Sequence, residues 1–190
     1  MTQNPIDIKH LFTKLNAENA EMQLVCHLGP TAFLAMDVFP EGMVLPLYGS
    51  MGMVLPVSLG LAMGSNSKII AIEGDGGLLM NLGAVATVAS ISPSNMLCII
   101  LDNGGYNTTG GQPTAFSATQ GISNILSAAG FQNLMTASQD NIDDAITWGL
   151  KPGLRAIVCK TAPLIYPFRD RRVYPADSVV AFSRRQHLRF

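Results

Sequence analysis

Short apolar runs of strand length recur along the chain, separated by longer segments of helical character. Leu24–Leu28, Val44–Leu47, Ile69–Glu73, Met96–Asp102, Phe131–Met135 and Leu154–Lys160 read as strands. Helical stretches fill most of the gaps, which is the rhythm of βαβ units. Lys68-Ile69-Ile70-Ala71-Ile72 and Leu97-Cys98-Ile99-Ile100-Leu101 show little polar alternation and are rich in β-branched residues. Strands apolar on both faces belong in a parallel sheet covered by helices on each side. The pattern therefore predicts an α/β fold, a three-layer sandwich with a mainly parallel central sheet. Leu78–Ile91 carries no charge and predicts a largely buried crossover helix. Gln139–Leu150 predicts a surface helix, with Asp140, Asp143 and Asp144 in its first turns, where negative charge complements the helix dipole.

Composition bounds the partners. The 190 residues fit one domain, or a domain with a tail. Only 13% are charged and 48% are hydrophobic, against a typical charged share of about 25%. Burial between subunits and a doubly covered sheet both account for that excess. The formal charge of −1 argues against nucleic acid as the main partner. Residues 169–190 hold six of the seven arginines against two aspartates, a formal +4, which leaves −5 for residues 1–168. The chain thus divides into a domain at 1–168 and an arginine-rich tail at 169–190. Such a tail is either a solvated arm or one that grips a partner subunit or guards a site for an anion.

Cys26, Cys98 and Cys159 form no CxxC pair, which excludes a disulfide framework, a cysteine zinc site or a cluster held by this chain and fits a reducing cytoplasm. Asp7, Lys9 and Lys14 stand where a secretory signal would be apolar. The uncharged stretches Gly42–Ser67 and Gly76–Leu101 are interrupted by Pro46, Gly49, Gly52, Pro56 and Gly60, and by Asn81, Pro93 and Asn95. Neither makes a good membrane span.

Candidate chemistry sits where two of the strands end. Ile69–Glu73 runs into Gly74-Asp75-Gly76-Gly77 and then a helix. Glycines at such a turn let backbone N–H groups approach an anion at a helix N-terminus, although Gly-Asp-Gly is also an ordinary turn. The following strand ends in Asp102-Asn103-Gly104-Gly105-Tyr106. If the two strands are neighbours, about 4.8 Å apart, both turns emerge at the carboxyl edge of the sheet, where open α/β folds bind ligands. Asp75 and Asn103 then converge. One carboxylate, one amide oxygen and a nearby carbonyl are hard ligands suited to Mg²⁺, which keeps its other positions for water and phosphate. The inferred ligand is a metal-bound diphosphate.

Gly74-Asp75-Gly76, followed after 26 residues by Asn103, resembles the cofactor motif of the diphosphate-binding domain of thiamine-diphosphate-dependent enzymes. The resemblance implies the thiamine-diphosphate-binding fold, with Asp75, the Asn103 side chain and the Gly105 carbonyl as Mg²⁺ ligands. Gly49-Ser50-Met51-Gly52 is similar to the family's preceding loop. By that likeness Met51 wedges the cofactor into its bent shape, its N–H and the Gly49 carbonyl hold the aminopyrimidine, and the loop near His27–Thr31 lines the same pocket. Ser50, Gly77 and Tyr106 join the implied cofactor-binding set. Met80-Asn81-Leu82-Gly83 and Thr108-Thr109-Gly110-Gly111-Gln112-Pro113-Thr114 look most like the sulfopyruvate and phosphonopyruvate decarboxylase group. Two departures stand out: Asp102 replaces an asparagine common in the family, and Pro30-Thr31-Ala32-Phe33 lacks the basic residue those decarboxylases carry after the glycine turn.

Thiamine catalysis needs a glutamate that activates the pyrimidine. Of Glu18, Glu21, Glu41 and Glu73, none occupies the place of the family's catalytic residue, which lies on a separate pyrimidine-binding domain. The resemblance therefore implies half an enzyme: the thiamine-diphosphate-binding subunit of a 2-oxoacid decarboxylase in a hetero-oligomer, completed by a pyrimidine-binding, alpha-type subunit. Met51 and Gln112 are its candidate catalytic contributors, with Gln112 reaching a 2-oxo acid substrate that carries a second anionic group. A carboligase of the acetolactate-synthase type, a 2-oxoacid oxidoreductase subunit and a catalytically silent binding module remain alternatives.

Overall fold

In the computed structural model, which describes residues 4–18, 21–117, 121–166 and 175–185, six parallel strands form the central sheet. The strands are β1 (Met22–His27), β2 (Val44–Leu47), β3 (Lys68–Gly74), β4 (Met96–Asp102), β7 (Leu134–Ala137) and β8 (Arg155–Lys160), in the order β2-β1-β3-β4-β8-β7. A small antiparallel pair, β5 (Gly105–Tyr106) with β6 (Gln112–Pro113), stands apart. The helices are α1 (Ile8–Ala17), α2 (Pro30–Val38), α3 (Val54–Gly64), α4 (Asp75–Met80), α5 (Leu82–Ile91), α6 (Gly121–Ala128), α7 (Ile142–Gly149) and α8 (Pro175–Arg185).

Alternation along each strand feeds two cores. Leu24, Ile70, Ile72, Leu97 and Ile157 pack with Leu11, Phe12 and Leu15 of α1, Leu34 of α2 and Ile146 of α7. Val25, Ile69, Ala71, Cys98 and Ile100 pack with Leu55 and Leu59 of α3, Val85 and Val88 of α5 and Leu126 of α6. Both faces of the sheet are covered, which is why its strands read as continuous apolar runs. The three-layer expectation holds. The apolar spacing of α1 turns Ile8, Leu11, Phe12 and Leu15 inward, and the Asp7 carboxylate caps the helix by accepting from the Lys9 N–H at 2.9 Å. Among the described residues the three cysteines are buried and free, and no helix is long and apolar enough to cross a membrane.

The β2 and β4 boundaries agree with the sequence pattern. β1 ends at His27 because Gly29 takes φ 94°. Phe131 is buried under the sheet, but pairing starts only at Leu134. The single buried helix expected over Leu78–Ile91 is corrected: Asn81 divides it into α4 and α5, and Met80, Leu82 and Ile91 are 59%, 40% and 47% exposed. Only Val85 and Val88 of α5 are fully buried. Lack of charge marks an uncharged face, and one stripe of a helix suffices to cover a sheet.

Part of the tail is also folded. α8 packs beside β2, with the Ala181 carbonyl so close to Gly42 that a Cβ there would meet it at 2.7 Å, and Phe182 is buried. Arg184 and Arg185 are exposed in its last turn. The boundary at 168, and Arg169, Arg171, Arg172 and Arg189, lie outside the described residues.

Candidate functional site

The carboxyl ends of β1, β3 and β4 open onto one cavity. β3 runs into α4 without a connecting loop, so Asp75 is the first residue of a helix. Asn103 follows the last residue of β4. Parallel pairing, with Gly74 opposite Leu101, brings these two strand ends side by side. Ser50, Met51, Gly74, Asp75, Gly76, Gly77, Asn103, Gly105 and Tyr106 all line the cavity, joined by His27, Pro30 and Thr31. Gly49 is exposed in the same loop as Met51, at φ 71°, outside the lining. Gln112 is also outside it, exposed on β6 opposite Tyr106, whereas Asn107 and Thr108 of that hairpin do face the cavity.

The oxygen donors are held by their own neighbours. Asp75 is 2% exposed, and its Oδ2 accepts from Thr114 Oγ1 at 3.0 Å. Burial raises its pKa, the Thr114 hydrogen bond opposes the rise, and the nearby Asp102 charge adds to it. Asn103 Oδ1 accepts from the Gly105 N–H at 2.9 Å, and the Gly105 carbonyl accepts from Asn107 Nδ2 at 3.3 Å. Each of these oxygens retains acceptor capacity. Among the described residues no group of three or more His, Cys, Asp or Glu could hold a metal. A cation here would therefore rest on one carboxylate plus amide, carbonyl and ligand oxygens, a donor set that fits Mg²⁺ with a phosphate ligand.

Close approach explains the two glycines after Asp75. A Cβ on Gly76 would lie 2.6 Å from Tyr106 Cε1, and one on Gly77 would lie 2.3 Å from Glu73 Oε1. The glycine-rich turn thus serves packing as well as any approach to a ligand. Asp102, the departure from the family asparagine, is buried at the end of β4 and hydrogen-bonds Lys160 Nζ, its register partner on β8. A lysine on the neighbouring strand compensates the added charge.

Two residues enter in ways the sequence did not indicate. Thr114 orients Asp75 through its hydroxyl. Glu73, 1% exposed, lines the cavity, and its Oε1 accepts from the Gly74 N–H at 3.0 Å. Burial pushes its pKa up to about 7 against the pull of the Gly74 and Val54 N–H groups. Its only sequence signal is an acid ending an otherwise apolar strand. Glu73 Oε2 and His27 Nε2 are buried without a hydrogen-bond partner among the described residues, and burial lowers the His27 pKa to about 4. Polar atoms left this way in a cavity wall are free to meet a ligand.

Residues 27–150 match the family model described as thiamine pyrophosphate enzyme, C-terminal TPP binding domain. The chain is 32% identical over 141 residues to the sulfopyruvate decarboxylase subunit beta of Methanococcus maripaludis, an alignment covering 74% of this chain and 76% of that protein. It is 35% identical over 105 residues to a phosphonopyruvate decarboxylase of Streptomyces viridochromogenes, covering 55% of this chain and 26% of the relative. Among solved structures it resembles benzoylformate decarboxylase from Polynucleobacter necessarius, with a TM-score of 0.72 and 20% identity over 86% of this chain and 34% of that one. That last likeness concerns the fold.

Proposed function

The chain belongs to the thiamine pyrophosphate enzyme family, as a C-terminal TPP-binding domain, and from that premise we propose that it is the cofactor-binding subunit of a 2-oxoacid decarboxylase. The curated relatives are decarboxylases, among them beta subunits of sulfopyruvate decarboxylase. The observation that carries the reading is the convergence of Asp75, Asn103 and Gly105 with the Ser50-Met51 loop on one cavity at the carboxyl edge of the sheet.

In this reading Asp75, the Asn103 amide oxygen and the Gly105 carbonyl hold Mg²⁺ with the diphosphate. Thr114 keeps the Asp75 carboxylate aimed. Met51 presses on the cofactor from the opposite loop, and Gly49 and the Met51 N–H hold its aminopyrimidine. Bound thiamine diphosphate supplies the nucleophilic carbon and the electron sink for loss of CO₂. The glutamate that activates the pyrimidine comes from a partner subunit. No Lys or Arg lines the cavity among the described residues. Gln112 acts from the rim, on substrate rather than on cofactor.

CO₂ release from a panel of small 2-oxo acids tests the proposal. The chain reconstituted with its partner, Mg²⁺ and thiamine diphosphate should decarboxylate at least one acid, and the chain alone none. Robust turnover by the lone chain would contradict the division of labour, and carboligation without net release of free aldehyde would favour the carboligase alternative.

A further inference from the structure

Among the described residues that line the cavity, all but one lie between His27 and Thr108. The exception is Leu164, which enters from the far end of the chain, after β8. β8 stands three places from β1 in the sheet, with β4 and β3 between them. Its carboxyl end is tied down on two sides: the Ile6 N–H donates to the Lys160 carbonyl at 2.8 Å, and the Thr161 N–H to the Asp102 carbonyl at 3.0 Å. From there residues 162–166 run without helix or sheet pairing to α2, which packs on β1 and β2. Three strand spacings come to about 14 Å, and five residues reach about 17 Å when fully extended, so the crossing needs a nearly straight chain. Burial along it alternates as on an extended strand. Leu164 and Tyr166 are partly buried and pack against the core beneath α1, α2 and α7, while Ile165 between them is 93% exposed.

A latch ends the crossing. Tyr166 Oη donates to Asp37 Oδ2 at 2.6 Å, the short bond of a hydroxyl to a carboxylate. Asp37 belongs to α2, whose first residues, Pro30 and Thr31, line the same cavity. The segment is thus held at Thr161 and at Tyr166, and Leu164 sits between the two anchors. Resting on the proposed cofactor reading, we propose that residues 161–166 are a strap across the cofactor cavity, in which the Tyr166–Asp37 latch seats Leu164 as an apolar wall that slows the escape of bound thiamine diphosphate. Leu164 borders the ligand space. Tyr166 and Asp37 act through it, as positioning residues.

Thiol labelling of the full chain reads the strap without cofactor or turnover. Cys26, Cys98 and Cys159 are fully buried, and burial raises the pKa of all three thiols, so a cysteine placed in the strap is the reactive one. Ile165→Cys should label fast whatever the latch does. Leu164→Cys should label slowly, about threefold faster with Tyr166→Phe, which removes the hydroxyl alone, and about tenfold faster with Tyr166→Ala, which removes the ring as well. Asp37→Asn keeps an acceptor oxygen and should preserve slow labelling. Asp37→Ala should match Tyr166→Phe, and the pair together should do less than the product of the two. In the assembled complex, chased with excess unlabelled cofactor, thiamine diphosphate should leave about threefold faster from Tyr166→Phe and about tenfold faster from Leu164→Ala. Equal labelling of Leu164→Cys with and without the latch, or independent effects of Tyr166→Phe and Asp37→Ala, would overturn the strap, and unchanged cofactor release from Leu164→Ala would overturn its retaining role. If Leu164→Cys does not fold, release from Tyr166→Phe and Asp37→Ala decides. Wild-type cofactor affinity in Asp75→Ala would instead sink the cofactor reading, and the labelling would still decide the strap.

Discussion

Both ends of the sheet pair polar groups, but among the described residues more are left buried and unpaired at the carboxyl end than at the amino end. At the amino end, Asn95 Nδ2 lies 3.1, 2.8 and 3.0 Å from the carbonyls of Ala62, Ser65 and Ser67, binding the end of α3 to the start of β4. Asn133 Nδ2 donates to the Leu154 carbonyl at 3.2 Å and Lys68 Nζ to the Lys151 carbonyl at 2.9 Å. Gln23 Oε1 is an exception, buried without a partner among the described residues. At the carboxyl end, His27 Nε2, Glu73 Oε2 and Thr161 Oγ1 are buried without partners among the described residues, and the first two residues line the cavity. Buried polar atoms cost stability unless paired. A sheet that uses its amides to fasten loops at one end and leaves acceptors and imidazole unpaired at the other has divided stability from binding along its strands.

Breaking the division at the binding end should have the largest effect. Asp75→Ala should weaken Mg²⁺-dependent thiamine diphosphate binding about a hundredfold or more, because it removes the carboxylate proposed to hold the cation beside the diphosphate. Met51→Ala should lower kcat about tenfold to a hundredfold and leave cofactor affinity within severalfold, since the diphosphate stays held while the reactive geometry is no longer enforced. Equal losses in affinity and kcat would make Met51 an anchor instead.

At the stabilising end, Asn95→Ala should cost about 2 kcal/mol by urea unfolding, because carbonyls near the end of α3 lose their donor, with cofactor affinity unchanged. His27 connects the two ends of the comparison through pH. Burial lowers its pKa from 6.5 to about 4, so the folded chain binds fewer protons than the unfolded chain between those values. Its contribution to stability is therefore full above about pH 6.5 and is lost as pH falls toward 4. His27→Asn should remove that dependence, so wild type loses up to about 3 kcal/mol relative to the variant between pH 7 and pH 4. Parallel pH profiles would mean that the imidazole is solvated. Gln112→Ala should have the smallest effect, a fall in kcat/KM of about threefold, because Gln112 is exposed at the rim.

Much of this was legible in the chain itself. Covered parallel strands announce themselves by unbroken apolar runs, and strand ends close in register bring Asp75 and Asn103 together across 28 positions. Contacts made by side chains far apart in sequence were not legible. Nothing local distinguishes Thr114, which bonds Asp75 across 39 positions, from the hydroxyls around it. Glu73 ends an otherwise apolar strand, and only the fold shows its carboxylate buried in the cavity wall. The exposure of Met80, Leu82 and Ile91 was missed because an uncharged sequence does not say which stripe of a helix meets the sheet.

The division of the sheet into a binding end and a stabilising end is tested most directly by one calorimetric comparison. Thiamine diphosphate is titrated with Mg²⁺ into the assembled complex carrying wild-type chain, Asp75→Ala or Asn95→Ala, each checked by urea unfolding. The account predicts that Asp75→Ala loses binding without losing stability, and that Asn95→Ala loses stability without losing binding. Wild-type binding in Asp75→Ala, or a matching loss of affinity in Asn95→Ala, would contradict it.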